Sequence, residues 1–117
     1  MKYCFVFVCQ QGELEIKSML LAASLKRYLR GDYECVAAIP HPASRWGTIS
    51  SNTLKLMQIL GVRSVPIINQ INDDYPYGNK VACLDIETPA EKLVFLDSDI
   101  LCLRELIHWL KIPPITR

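Results

Sequence analysis

The stretch YCFVFVC, residues 3–9, has no charged side chain and a single hydroxyl, and it does most to limit the folds open to this chain. A strand with one wet face alternates apolar and polar residues. A run so uniformly apolar, aromatic and β-branched needs cover on both faces, which is the habit of parallel sheets with helices above and below. Gly12 ends the run, and a helical pattern follows at once. In ELEIKSMLLAASLKRYLRG, residues 13–31, Leu14, Leu21, Leu25 and Leu29 recur at helical spacing. Glu13 and Glu15 stand in its first turn, Lys26, Arg27 and Arg30 near its end, and Gly31 just past it, the charge order that a helix dipole favours.

The same alternation continues. ECVAAIP reads as a second strand stopped by Pro40, and HPASRWGTIS as a loop. Ser50, Ser51 or Asn52 caps a short helix, TLKLMQIL, that Gly61 terminates. RSVPII is a third strand whose Pro66 marks an edge or a bulge. NQINDDYPYG is a turn-rich loop, NKVACLDIE a short helix, KLVFLDSD the fourth strand, and LRELIHWLK a last helix before Pro113 and Pro114. Strands alternating with helices imply right-handed crossovers and an α/β fold with a mainly parallel sheet and flanking helices. Ligands of such sheets sit at the carboxyl ends of the strands.

Bulk properties narrow the function. The 117 residues suit one domain, 1–117, and half of them are hydrophobic, enough for a packed core. A formal net charge of +1 with no basic run argues against nucleic acid as a partner. The five cysteines are an odd count without a C-x-x-C pair, and most lie in apolar runs. They read as free thiols in a reducing compartment, hence a cytoplasmic location, rather than as disulfides or a zinc site. The opening MKYCFVFVC is too short for a signal peptide, lacks a small-residue cleavage pattern and runs into QQGELEIK, and no stretch is long enough to span a membrane.

The fourth strand ends on Asp97-Ser98-Asp99, at the edge where ligands bind. Alternation along a strand puts Asp97 and Asp99 on one side and Ser98 on the other, so Ser98→Ala is expected to be nearly silent. Two carboxylates held this close repel unless a cation compensates, and hard oxygen ligands favour Mg²⁺ or Mn²⁺ over zinc. As turn residues, Asp and Ser also fit a plain strand end.

The segment GNKVACLDIETPAEKLVFLDSDILCL resembles the donor-binding half of GT-A glycosyltransferases, notably the family 8 group that includes glycogenin. The matching positions are Lys80 opening a short helix, the Leu93 to Leu96 strand, Asp97-Ser98-Asp99, and the aliphatic Ile100-Leu101. The resemblance is to family motifs over residues 78–103 and to the fold alone before them. It implies the Rossmann-like half of a GT-A fold, truncated at its C-terminus, that binds a nucleotide-diphosphate sugar, a UDP-sugar foremost, through Mn²⁺ or Mg²⁺ for hexosyl transfer to an unknown acceptor. On the same resemblance Asp99 ligates the metal, Asp97 touches the metal or the donor ribose, and Lys80 approaches the donor phosphates or sugar. The end of the first strand, Cys9 and Gln10, lies against the base.

Two other readings compete. A phosphatase of the haloacid dehalogenase type also sets D-x-D after an apolar strand, with the first Asp as nucleophile, but on its first strand rather than its fourth. A non-catalytic nucleotide-binding or scaffold fragment would share the fold and transfer nothing. Other candidates have plainer roles: His108 as a packing or surface residue, His41 as a loop residue without an acidic partner, Trp46 as a loop anchor rather than a base-stacking ring, and Asp73, Asp74 and Tyr75 as turn composition.

Overall fold

The computed structural model describes residues 2–68, 77–98 and 115–116 of the chain. Five strands form one sheet in the order β3-β2-β1-β4-β5. They are β1 (Tyr3–Val8), β2 (Tyr33–His41), β3 (Val62–Ile68), β4 (Lys92–Phe95) and β5 (Ile115–Thr116). The first four are mutually parallel, and β5 joins β4 antiparallel through two residues. The helices are α1 (Glu13–Tyr28), the single turn α2 (Ala43–Trp46), α3 (Ser51–Ile59) and α4 (Tyr77–Ala82), which runs into a 3₁₀ turn at Cys83–Asp85. The α/β architecture with a mainly parallel sheet is therefore as the sequence indicates.

β1 is buried at all six positions, with β2 on one side and β4 on the other. Its odd residues, Tyr3, Phe5 and Phe7, pack with Leu21, Leu25 and Leu29 of α1 and its C-cap and with Met57 of α3. Its even residues, Cys4, Val6 and Val8, pack with Ile67, Cys83, Ile86 and Leu93. The two-residue alternation thus divides one strand between two separate cores. Fully burying each of these large side chains contributes roughly 1.5–3 kcal/mol.

Several boundaries differ from the sequence reading. Pro40 does not stop β2, which runs on to His41, with Pro40 opposite Ile67 of β3. β1 has already ended at Val8, opposite Ala38, so no β1 residue is paired opposite Pro40 and its missing N–H is tolerated. Pro66 lies on an edge strand, as expected. The loop after β2 holds the one-turn helix α2, and α4 begins two residues before Asn79. The proposed last helix, 103–111, lies outside the described residues.

Two polar clasps hold the layers. Arg63 Nε donates to Glu34 at 2.7 Å and its Nη2 to the Glu87 carbonyl at 2.9 Å, while Thr88 Oγ1 donates to Glu34 at 2.6 Å. Burial opposes the Glu34 charge, yet these donors hold its carboxyl below the usual range. On the other face, Ser50 caps α3 by accepting from Thr53 N, and Glu15 of α1 accepts from Ser50 N at 3.3 Å, from Ser50 Oγ at 3.1 Å and from Thr53 Oγ1. The Thr53 hydroxyl, more than any other group, lowers the Glu15 pKa, with the Ser50 donors adding to it.

A depressed folded pKa makes this clasp fully stabilising above the ordinary carboxyl value near 4.5, and its contribution is lost as pH falls through the lowered folded value. Glu15→Gln is expected to lower the thermal midpoint by about 3–5 °C at pH 7, a modest figure because solvent reaches the group. Melts from pH 7 down to pH 3 check it: the gap between wild type and variant should close toward the acid end.

Candidate functional site

The carboxyl ends of β1 and β4 meet at one edge of the sheet, and their hydrogen bonds show how the chain leaves β4. Lys92 N donates to Lys2 O at 3.0 Å and Leu96 N to Val6 O at 2.8 Å, so bonds between these strands recur at every second residue. The next rung would join Ser98 N to Val8 O. Instead the Ser98 side-chain hydroxyl donates to Val8 O, and the chain turns. The Ser18 hydroxyl of α1 lies 2.9 Å from the same carbonyl and 2.6 Å from Leu14 O, sharing its one hydrogen between them.

That bond gives the Ser98 hydroxyl a partner that the expectation of a nearly silent Ser98→Ala did not include. Ser98 is 6 % exposed and does face inward, but it is bound to the core strand rather than idle. The β4 ladder reaches only Leu96, so strand alternation does not set the directions of Asp97 and Ser98.

Asp97, next to Ser98, is exposed at this edge, while Asp99 lies outside the described residues, as do Asp73, Asp74, Tyr75 and His108. Lys80 is carried by α4, which packs against β1 and β3. Cys9 is 1 % exposed and belongs to the α1-side core, and burial pushes its thiol up to about 11. That sulfur is sealed from any ligand. Cys4 is likewise raised to about 11 and Cys83 to about 12, so these thiols behave as small hydrophobes.

Gln10 is half-buried, and its Oε1 accepts from Asn79 Nδ2 at 3.4 Å. Asn79 is 1 % exposed, and its Oδ1 has no hydrogen-bond partner among the described residues. Sequence reading passed over Asn79, although an amide beside Lys80 in a helix leading to buried Cys83 was the available signal. A buried carbonyl left unpaired costs roughly 1–3 kcal/mol, so Asn79 presents an unmet acceptor beside the β1 terminus.

The loop after β2 leans on the loop after β1. Gln11 Oε1 accepts from Thr48 N at 3.3 Å, next to Gly47, whose φ is 90°. Trp46 is 8 % exposed with the Arg45 guanidinium 5.1 Å from its ring centroid, which makes it the loop's anchor. His41 is exposed at the end of β2.

Residues 5–112 match the model of a family described as the Rhodobacterales glycosyltransferase domain. The chain belongs to that family. No curated protein matches it. Among solved structures it is similar to S. aureus TarS 1–349 in complex with UDP, with a TM-score of 0.62 at 16 % identity over 92 % of this chain and 30 % of that one. Full S. aureus TarS gives 0.59 at 17 % identity over 92 % and 18 %, and TarS 1–349 in complex with UDP-GlcNAc gives 0.52 at 19 % identity over 85 % and 27 %. At such identities the likeness is one of fold, and this glycosyltransferase domain spans less than a third of the length of those chains.

Among the described residues no three potential ligands cluster as a metal cage, and no helix is long and apolar enough to cross a membrane. The loop contact generates a test. A Cβ on Gly47 would stand 1.9 Å from Gln11 Oε1 and 2.7 Å from Gln11 Cβ, and φ would be strained as well. Gly47→Ala should cost about 1–3 kcal/mol, read as a lower midpoint in urea at an unchanged m-value.

Proposed function

We propose that this glycosyltransferase domain binds a nucleotide-diphosphate sugar, a UDP-sugar foremost, at the edge formed by the ends of β1 and β4, for hexosyl transfer to an acceptor. The domain is read as a donor-binding unit of the GT-A kind allied to family 8. The observation that carries the proposal is the placement of Asp97-Ser98 at the carboxyl end of β4, directly beside the end of β1. Family membership and the fold shared with chains solved with UDP and UDP-GlcNAc support it.

Asp97, with Asp99, would hold Mn²⁺ or Mg²⁺. Mg²⁺ is commonly held by one or two carboxylates with the substrate's phosphates completing the shell. When bound, the ion offsets the charge that grows on the departing diphosphate. Lys80 would add positive charge toward the phosphates or the sugar, and the β1 terminus at Cys9 and Gln10 would border the base, Cys9 through its backbone because its thiol is buried. The free, buried cysteines suit a reducing compartment, and a cytoplasmic location is part of the same proposal.

A thermal melt of the chain alone, with Mn²⁺, with UDP, and with both tests the reading. Ligand at about a hundred times its dissociation constant adds roughly 2.7 kcal/mol, several degrees for a domain this small. The shift should require both ligands and should disappear in Asp97→Ala or Asp99→Ala while their unliganded melts stay cooperative. A cooperative wild-type melt that neither ligand moves would reject the donor site. Binding of a UDP-sugar without its consumption in the presence of acceptors would favour the non-catalytic reading.

A further inference from the structure

We infer that Ser98 is the positioning residue for Asp97: its hydroxyl stands in for a backbone rung of the β1–β4 ladder and so sets where the chain leaves the sheet beside that carboxylate. The inference rests on the donor-site reading.

The bonding pattern supplies the argument. Lys92 N and Leu96 N bond Lys2 O and Val6 O, so an uninterrupted β4 would next bond Val8 O through Ser98 N. Such a continuation would keep Asp97 and Ser98 in the ladder. The chain turns at Ser98 instead, and Val8 is only 6 % exposed, so its carbonyl would be left with only the Ser18 hydroxyl, which Leu14 O shares. The Ser98 Oγ–H supplies a second donor from a side chain short enough to leave the backbone free to turn. The motif is thus tied to the most buried strand of the protein one residue beyond Asp97. Alanine at 98 keeps nearly the same volume and loses the tie.

Ser18 provides the internal control. Its hydroxyl reaches the same Val8 carbonyl from α1, and it has no covalent proximity to the motif. Ser98→Ala and Ser18→Ala therefore each remove one donor from one acceptor, but only the first releases the motif.

The test uses the full chain, with Mn²⁺ binding in the presence of UDP followed by the electron-spin-resonance signal of free Mn²⁺, and melts recorded in parallel. Ser98→Ala should weaken Mn²⁺ binding by about 10-fold or more, the usual penalty for losing a group that orients a metal ligand. Ser18→Ala should stay within about twofold of wild type, even where its midpoint falls by as much. Ser98→Thr, which keeps the hydroxyl, should recover most of the affinity. If Ser98→Ala does not fold, Ser98→Cys, a weaker donor of similar size, takes its place and should bind Mn²⁺ less tightly than Ser98→Thr. Unchanged affinity in the Ser98 variants, or equal loss in Ser18→Ala, would overturn the positioning role while leaving the donor site standing. Wild-type protein that binds no Mn²⁺ with UDP would overturn the donor-site reading and this inference with it.

Discussion

Everything in this domain depends on keeping one strand dry on both faces. β1 has no water-facing side chain, and both its hydrogen-bonding edges are taken, by β2 and by β4. No single helix can cover such a strand. The chain must return to the sheet after each crossover and place α1 and α3 on one face and the α4 turn on the other. Parallel order follows from those returns, and with it the alignment of strand ends at one edge.

The two edges of the sheet then serve different ends. At the amino edge, the Glu34, Arg63 and Thr88 bonds tie β2, β3 and the segment before β4 into a closed polar clasp. At the carboxyl edge one buried acceptor, the Asn79 carbonyl, has no partner among the described residues, and it lies beside the half-buried Gln10. A closed clasp has little left to offer a ligand, whereas an edge with an unmet acceptor can still gain by binding one. The ion-paired clasp and the buried thiols thus belong to the scaffold.

The elements with strong local signals were legible in the sequence. β1 betrayed itself by seven consecutive apolar positions and α1 by leucines at helical spacing, and Ser50 was among the three caps considered for α3. What escaped depends on neighbours far along the chain. Pro40 breaks strands in general but is tolerated here because β1 has already ended beside it, a fact of register that no local pattern contains. Asn79 is significant only because α4 brings it to Gln10, 69 residues away. Strand alternation, which predicts the direction of Ser98, lapses where the ladder stops, and there the Ser98 side chain bonds a residue 90 positions earlier. Placement of Asp97 and Ser98 at the end of β4 was legible because it needs only the order of elements. The direction of each motif side chain needs the hydrogen bonds as well.

That last distinction explains why a serine between two aspartates is more than a spacer. A carboxylate can project past the end of a sheet only where the strand leaves its ladder before it. Leaving the ladder strands a buried carbonyl on the neighbouring strand, at a cost of roughly 1–3 kcal/mol if nothing replaces the lost donor. A bulky apolar residue at the turn would leave that cost uncompensated, and a longer polar one would have more rotamers to fix. A hydroxyl one carbon from the backbone satisfies the carbonyl and holds the turn with a single rotatable bond. The Val8 carbonyl, reached by Ser18 from α1 and by Ser98 from the turn, thus ties the end of β4 to the buried strand at the point where the ladder has stopped.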